Sequence, residues 1–291
     1  MANFTHSGTS AAFIPELWSA STLVATESNL VVAPKVKRFD ADVASYGDVV
    51  HVPNISNFSA ARDKSVNTSV TLDTITDTTT DITINKHKYV AFAIEDQLAK
   101  QSKYDLTSEY TERAGYQLAK AVDTSLLDLY TGFSTEDVGS YETDITDAGI
   151  LAAIQQLELN DVPMEDRCFI IHAGQMTALM AIDKFVKADF LGQYDMATRV
   201  QEGPSSRLMF GTLYGIPVYY TNNVSITTGT TNYVHNVLIH KEAWALAMQM
   251  SPRVQMEYDL DLLADKVVTD VLYGVATLRP TFGVELRSTK V

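Results

Sequence analysis

The sequence predicts an α+β fold in which helices alternate with the strands of a mixed sheet. Residues 105–131 repeat apolar side chains every three or four positions, which is typical of one long helix. Residues 148–220 switch between helical and strand patterns. Residues 234–286 consist mainly of short apolar and β-branched runs, which favour strands.

The first 46 residues lack the pattern of a closed domain. Residues 13–18 begin a short helical pattern with Pro15 near its start, where a missing N–H costs least. Residues 30–36 are apolar and β-branched but are interrupted by Pro34. We expect an arm that lies on other parts of the fold.

A polar excursion follows between two predicted strands, residues 49–52 and 89–94. Residues 65–83 hold eight threonines and three aspartates. Threonine favours strands, so a long β-hairpin is the best local prediction, although a two-stranded ribbon is marginal on its own in water. Two interpretations stay open: a surface loop without fixed structure, or an arm that becomes ordered on another copy of the protein. The strand signals at both ends favour the arm.

The long helix is predicted to begin at the capping residue Asp105 and to end before Gly132. After an acidic link, we predict further elements from the apolar patterns. They are a helix over 150–157, a strand over 167–172, a helix over 175–185, a turn between Gly211 and Gly215, and strands over 234–239, 253–260, 267–278 and 284–286. Residues 242–250 fit either a helix or a strand.

The charge distribution argues against strong nucleic-acid binding. The 22 Lys and Arg residues are outnumbered by 36 Asp and Glu, for a formal net charge of −14. Residues 121–166 hold eleven of the acidic and none of the basic residues. Affinity for nucleic acid comes largely from clustered Lys and Arg, so a phosphate-gripping surface is not expected.

Cysteine content and hydropathy exclude several other classes. A single cysteine, Cys168, lies in an apolar run, so the chain can form no internal disulfide and no multi-cysteine metal site. No signal-peptide pattern and no apolar run near the ~18 residues of a membrane span occurs. We expect a soluble protein made in a reducing cytoplasm, with no membrane association.

No catalytic motif stands out. Nucleophile-elbow, phosphate-loop and zinc-protease patterns are absent, and the six histidines are scattered. The densest carboxylate group is Glu257, Asp259, Asp261 and Asp265. On a continuous strand, residues 257, 259 and 261 would share one face and could hold a hard cation such as calcium. A solvated face or a salt bridge to a neighbour is the favoured interpretation.

The order of these elements resembles the major capsid proteins of tailed phages with the Hong Kong 97 fold. The resemblance rests on residues 13–18, on residues 46–53 opening an extended loop, and on the long helix. In the later half it rests on residues 211–222 and on residues 272–280. It spans nearly the whole chain, and it depends on the order and spacing of motifs that are individually weak.

The resemblance implies a division of the chain into five parts. These are an N-terminal arm (1–46), an extended β-hairpin loop (47–88), a peripheral domain with the spine helix (89–144), an axial domain (145–255) and the returning strands of the peripheral domain (256–291). Copies would form hexamers and pentamers, and these would close into an icosahedral shell. That shell would enclose double-stranded DNA without sequence-specific binding.

Further expectations about partners follow from the resemblance. It implies a non-enzymatic protein without cofactors or metals, located in the virion and assembled in the host cytoplasm. A separate scaffolding protein, a portal protein and decoration proteins are the expected partners. We predict contacts between subunits along the extended loop, at Arg62, Asp63, Lys64, Asp73 and Asp77.

Two details refine these expectations. Some family members join a lysine of the extended loop covalently to an asparagine of the peripheral domain. Lys64 could supply the lysine, but no asparagine follows Asn236, so non-covalent closure is predicted. If the spine helix faces the shell interior, Asp123 and Asp128 would line the lumen and repel DNA.

Two alternative functions remain. An encapsulin-like nanocompartment resembles the same fold but encloses enzymes. A metal-dependent hydrolase using Asp259, Asp261 and Asp265 is the remote alternative.

Overall fold

The computed structural model describes residues 31–43, 47–54, 61–70, 72, 77–101, 106–182, 209–228 and 232–289. The predicted helical start at residues 13–18 and the predicted cap Asp105 lie outside these ranges. In the described part, helices and strands are both present, as predicted.

The elements are numbered along the chain. The strands are β1 (Lys37–Arg38), β2 (Val49–Asn54), β3 (Thr78–Thr83), β4 (Lys86–Glu95), β5 (Val138–Gly139), β6 (Arg167–His172), β7 (Met209–Leu213), β8 (Ile216–Thr221), β9 (Ile226–Thr227), β10 (Tyr233–His240), β11 (Trp244–Asp259), β12 (Ala264–Thr277) and β13 (Gly283–Thr289). The helices are α1 (Asp40–Val43), α2 (Asp96–Gln101), α3 (Leu106–Leu127), α4 (Asp147–Leu159) and α5 (Met176–Ala181).

The strands form two sheets and a ribbon. The four-stranded sheet has the order β1-β11-β12-β4. The larger sheet has the order β5-β13-β10-β6-β8-β7, with β9 paired to β10. The ribbon consists of β2 and β3 alone. Parallel pairs, such as β6 with β8, occur beside antiparallel ones, so the larger sheet is mixed.

Helix α3 is the predicted spine helix. It runs from Leu106 to Leu127 and continues as a 3-10 turn to Gly132. The predicted apolar stripe is buried at Ala114, Leu118 and Val122, which follow one another at four-residue steps. The stripe packs on the four-stranded sheet, where the hydroxyl of the buried Tyr273 donates to the Ala121 carbonyl at 3.2 Å.

Several other local predictions are confirmed by the structure. Residues 167–172 form strand β6, and the helix predicted over 150–157 is α4. The predicted turn before β8 lies at Tyr214 and Gly215, which both have positive φ. Two consecutive residues in this conformation are typical of the tight turns that join antiparallel strands. The helix predicted over 175–185 is a 3-10 turn followed by α5, and residues 183–185 lie outside the described ranges.

Strand β11 decides between the helix and the strand that were both predicted for residues 242–250. Residues 242–250 are not a helix, because residues 244–259 form one long strand with bulges between Met248 and Arg253. The first four residues of β11 are buried without the alternation of a half-exposed strand, so the pattern of this stretch fitted both structures.

The predicted β-hairpin is present, and its second strand lies in the threonine-rich segment, as predicted. Strand β2 pairs with β3, from Val49 opposite Thr83 to Asn54 opposite Thr78. The apolar strand at residues 89–94 is part of β4, which pairs instead with β12. The second strand of the ribbon is thus rich in polar threonines. The stability of this strand comes from packing on the sheet rather than from its own composition.

Candidate intersubunit surfaces

The ribbon of β2 and β3 is anchored at its base. Ile82 and Ile84 are buried in a small apolar cluster with Ala245 and Ala247 of β11, and Val50 is packed against the same cluster. This cluster lies on the face of the four-stranded sheet that is opposite to α3. The base of the extended loop therefore belongs to the fold of the subunit itself.

A close approach between backbones fixes where the ribbon crosses the sheet. A Cβ added to Gly274 of β12 would lie far inside van der Waals contact with the carbonyl oxygen of Thr83. Directly after this crossing, the Ile84 N–H donates to the Asp48 carbonyl at 2.8 Å. Only glycine at position 274 lets the chain leave the ribbon and enter β4 along this path.

The outer part of the extended loop has the opposite character. Residues 61–70 are all exposed. Val66, Val70 and Leu72 expose 90%, 71% and 88% of their surface. Exposed apolar side chains this close together are typical of a binding surface rather than of a loop in solvent.

The predicted contact residues lie on this outer part. Arg62, Asp63, Lys64 and Asp77 are exposed, whereas Asp73 lies outside the described residues. The Lys64 ammonium donates to the carbonyl oxygens of Ser65, at 2.9 Å, and Thr68, which closes a tight turn at the end of the loop. Lys64 thus shapes the loop, in addition to the contact role predicted for it.

The carboxylates at the end of the β11–β12 hairpin do not form the row that a cation would need. Strand β11 ends at Asp259, so Asp261 lies in the turn rather than on a shared strand face. Asp259 forms an ion pair with Lys266 across the hairpin. Among the described residues, no group of three His, Cys, Asp or Glu side chains is arranged to hold a metal ion.

A second carboxylate on this hairpin is held more firmly. Asp270 accepts two hydrogen bonds from the Arg253 guanidinium, at 2.8 and 3.1 Å, and one from His87 at 2.9 Å. The hydrogen bonds from Arg253 and then His87 lower the pKa of Asp270 to about 2. The three residues come from three adjacent strands, so only the sheet register brings them together.

Asp123 corrects the lumen hypothesis. It is 1% exposed and accepts the backbone N–H groups of Val31, Val32 and Ala33, at 2.7, 3.3 and 3.0 Å. The carboxylate thus caps the start of the 3-10 turn at residues 33–35 and fixes the arm to the C-terminal part of α3. Burial raises the pKa of Asp123, although the three N–H groups act in the opposite direction. A buried carboxylate cannot line the lumen.

A buried polar network joins the end of α3 to the larger sheet. His235 Nδ1 lies 2.5 Å from Glu285, and its Nε2 lies 2.8 Å from the Thr227 hydroxyl and 3.2 Å from that of Tyr130. Burial would raise the pKa of Glu285, but hydrogen bonds from His235 and Arg287 hold it below its usual value. Sequence reasoning missed this network, because it treated each histidine as isolated.

The single cysteine has a structural role. Cys168 is buried in β6, and burial raises the pKa of its thiol to about 12, so the thiolate is not formed near neutral pH.

Among the described residues, no helix is long and apolar enough to span a membrane.

Comparison with solved structures extends over almost the entire chain. A structure from Mycobacterium phage Che8 has 26% sequence identity and a TM-score of 0.76, and the match covers 94% of this chain and 97% of that chain. The capsid structure of the cyanophage P-SCSP1u matches at 18% identity and a TM-score of 0.73, over 100% of this chain and 97% of its own. The mature capsid of bacteriophage PhiM1 matches at 14% identity and a TM-score of 0.71, over 96% and 93%.

In the sequence comparisons, no family model and no curated protein matches the chain. The structural matches nevertheless cover 93% or more of each chain. The chain therefore has the Hong Kong 97 fold of tailed-phage major capsid proteins, which confirms the resemblance found in the sequence.

Proposed function

We propose that this protein is the major capsid protein of a tailed phage, a structural subunit that assembles through hexamers and pentamers into an icosahedral head shell. One observation carries the proposal beyond the fold. The extended loop is anchored by a buried base but presents Val66, Val70 and Leu72 to solvent. A neighbouring copy would bury these side chains, and symmetry would repeat the contact around the shell.

The protein acts as a container wall and not as an enzyme. Double-stranded DNA is enclosed without sequence-specific contacts, in keeping with the net charge of −14. The shell is assembled in the host cytoplasm with a separate scaffolding protein and a portal protein, carries decoration proteins, and becomes part of the virion. Neighbouring subunits close the shell without a covalent bond at Lys64.

The five-part division of the chain belongs to the same proposal. The arm (1–46) is fixed at Asp123, and the extended loop (47–88) crosses at Gly274. The peripheral domain combines residues 89–144 with the return strands 256–291. The axial domain (145–255) would meet its copies around the five-fold and six-fold axes.

The first experiment is negative-stain imaging of the protein expressed together with its scaffolding protein, which should show closed icosahedral particles. Particles isolated from phage-infected cells should also show an absorbance ratio at 260 and 280 nm that is typical of nucleic acid. An enzyme-filled compartment would instead show the ratio of pure protein. Soluble subunits that never form particles, with a scaffolding protein present, would contradict the proposal.

Side chains on the loop provide a sharper test. Replacing Val66, Val70 and Leu72 together by serine should leave the fold of the subunit unchanged, because these side chains are exposed in the subunit. Shell formation should be lost. The matched control replaces Leu151 and Leu159 of α4, which are also exposed, by serine. Normal shells from the loop variant would contradict the assigned role of the loop.

A further inference from the structure

The outer half of β11 has an open edge. Residues 253–259 pair regularly with β12 on one side. Among the described residues, β1 is the strand on the other side, and it pairs only at Ala245 and Leu246. The bulges and Pro252, which protect edge strands from pairing, lie before this stretch. Alternate residues of this seven-residue stretch thus present N–H and C=O groups that another strand could pair with.

The same stretch also has an uncovered apolar face. Val254, Met256 and Tyr258 alternate along β11 and expose 48%, 59% and 41% of their surface. In the register of the sheet, Met256 lies beside Val267 of β12, which in turn lies beside Phe92 of β4. Val267 is fully buried, and Phe92 contacts Tyr110 of α3 edge-on at 5.7 Å. The face of the sheet that α3 covers at β4 therefore continues onto the outer half of β11, where its side chains are exposed.

The sequence of this edge is complementary to itself. In an antiparallel pair centred on Met256, Val254 of each copy lies opposite Tyr258 of the other, and Arg253 lies opposite Asp259. The first pairing joins a β-branched and an aromatic side chain, and the second joins opposite charges, both of which stabilise antiparallel strands. Arg253 already bonds Asp270, and Asp259 already bonds Lys266. In the paired copies, these ion pairs would join into one network of alternating positive and negative charges. That network would cross the two-fold axis that relates the two copies.

We propose that the outer half of β11 pairs with the same segment of a second copy, antiparallel and centred on Met256. The two four-stranded sheets then form one continuous sheet of eight strands. The interface is isologous, because each copy contributes the same residues. The inference rests on the proposed function only in that a shell brings many copies together.

Disulfide trapping tests this register directly. In Met256→Cys, the introduced thiols of two copies would face each other, and oxidation should give a covalent dimer of twice the 32.0 kDa subunit mass. The native Cys168 is buried and should contribute no background. The matched control is Val254→Cys. Its thiols would be offset by four residues, roughly 13 Å at the strand rise, and so could not bond.

Charge provides a second, independent readout. Met256→Lys and Met256→Glu each place two like charges opposite each other, so each variant alone should lose the contact. A mixture of the two variants should recover it. Pairing is scored in soluble protein and in particles separately, so a failure of shell formation is distinguished from a failure of the strand pairing.

Three results would overturn the proposal. The first is shells of Met256→Cys without a disulfide-linked dimer. The second is equal cross-linking by the Val254→Cys control. The third is a cross-link from position 256 to a thiol introduced by Val70→Cys, since that would assign this edge to the extended loop of a neighbour.

Discussion

Asp123 illustrates how a single side chain can have a role that its sequence position hides. As an acidic residue in a long helix it was expected at a surface, and the block of eleven carboxylates over residues 121–166 strengthened that expectation. Its partners are backbone N–H groups about ninety residues earlier in the chain. Backbone donors carry no residue signature, so no sequence pattern could have identified the contact.

Replacing Asp123 should destabilise the subunit strongly. Asp123→Ala leaves two buried and one half-buried N–H group without their acceptor, and we expect a loss of about 3 kcal/mol in the free energy of unfolding. Urea unfolding followed by circular dichroism measures the loss. Glu112→Ala, at an exposed position of the same helix, is the control and should change stability by less than about 0.5 kcal/mol. Equal effects in the two variants would refute the capping role.

Asp270 should make stability depend on acidity. Its pKa is lowered to about 2 in the folded protein, against about 3.9 for an unfolded chain. The unfolded state therefore binds a proton first as the pH falls, so the contribution of Asp270 is complete above pH ~4 and is lost as the pH falls toward ~2. Because Arg253 is half exposed, salt should weaken the effect.

The measurement compares wild type with Asp270→Asn in urea between pH 2 and pH 7. The variant should be less stable at pH 7 and should lose less stability between pH 4 and pH 2. Parallel pH profiles for the two proteins would show that the hydrogen bonds from Arg253 and His87 contribute nothing.

At the scale of elements, the predictions succeeded where local periodicity decides the structure. Helix α3 and strand β6 have strong patterns and are found where predicted. The hairpin of β2 and β3 was predicted, but its anchor was not, because the anchor depends on what lies across the sheet. Ile82 makes β3 a strand by packing on Ala245 and Ala247, and those residues are distant in sequence. The anchoring glycine, Gly274, was not predicted either.

Gly274 should control the position of the extended loop. Gly274→Ala forces the ribbon away from β12, and we expect a loss of about 1–3 kcal/mol in stability, as for other overpacked sites. Gly115→Ala in α3 is the matched control. Its added methyl group meets nothing within 4 Å and should stabilise the helix by about 0.5–1 kcal/mol. If both variants unfold at the same urea concentration, the close crossing does not constrain the loop.

At the scale of the whole molecule, the acidic block is not one uniform wall. Asp123 is buried, Asp137 forms an ion pair with Arg287, and Asp128 accepts a hydrogen bond from Ser225 at 2.5 Å. Much of the charge that was expected to repel DNA serves contacts between the spine helix, the acidic link and the larger sheet. Net charge constrains the kind of partner, but it does not locate a surface.

In the extended loop, the residues needed for folding of the subunit can be separated from those needed for assembly of the shell. Ile82 is fully buried, so a deletion that includes it would damage the subunit and would not test assembly alone. Asn54 and Thr78 are paired at the outer end of the described ribbon. Replacing residues 55–77 by Asn-Gly would close this pair with a tight turn and would keep the anchored base.

This shortened protein should unfold at the urea concentration of the wild type, because its buried clusters are unchanged. It should nevertheless remain as soluble subunits, since the surface carrying Val66, Val70 and Leu72 is gone. Sedimentation velocity distinguishes subunits from particles. Closed particles from the shortened protein would mean that the extended loop is dispensable for the shell, and that assembly depends on other surfaces such as the open edge of β11.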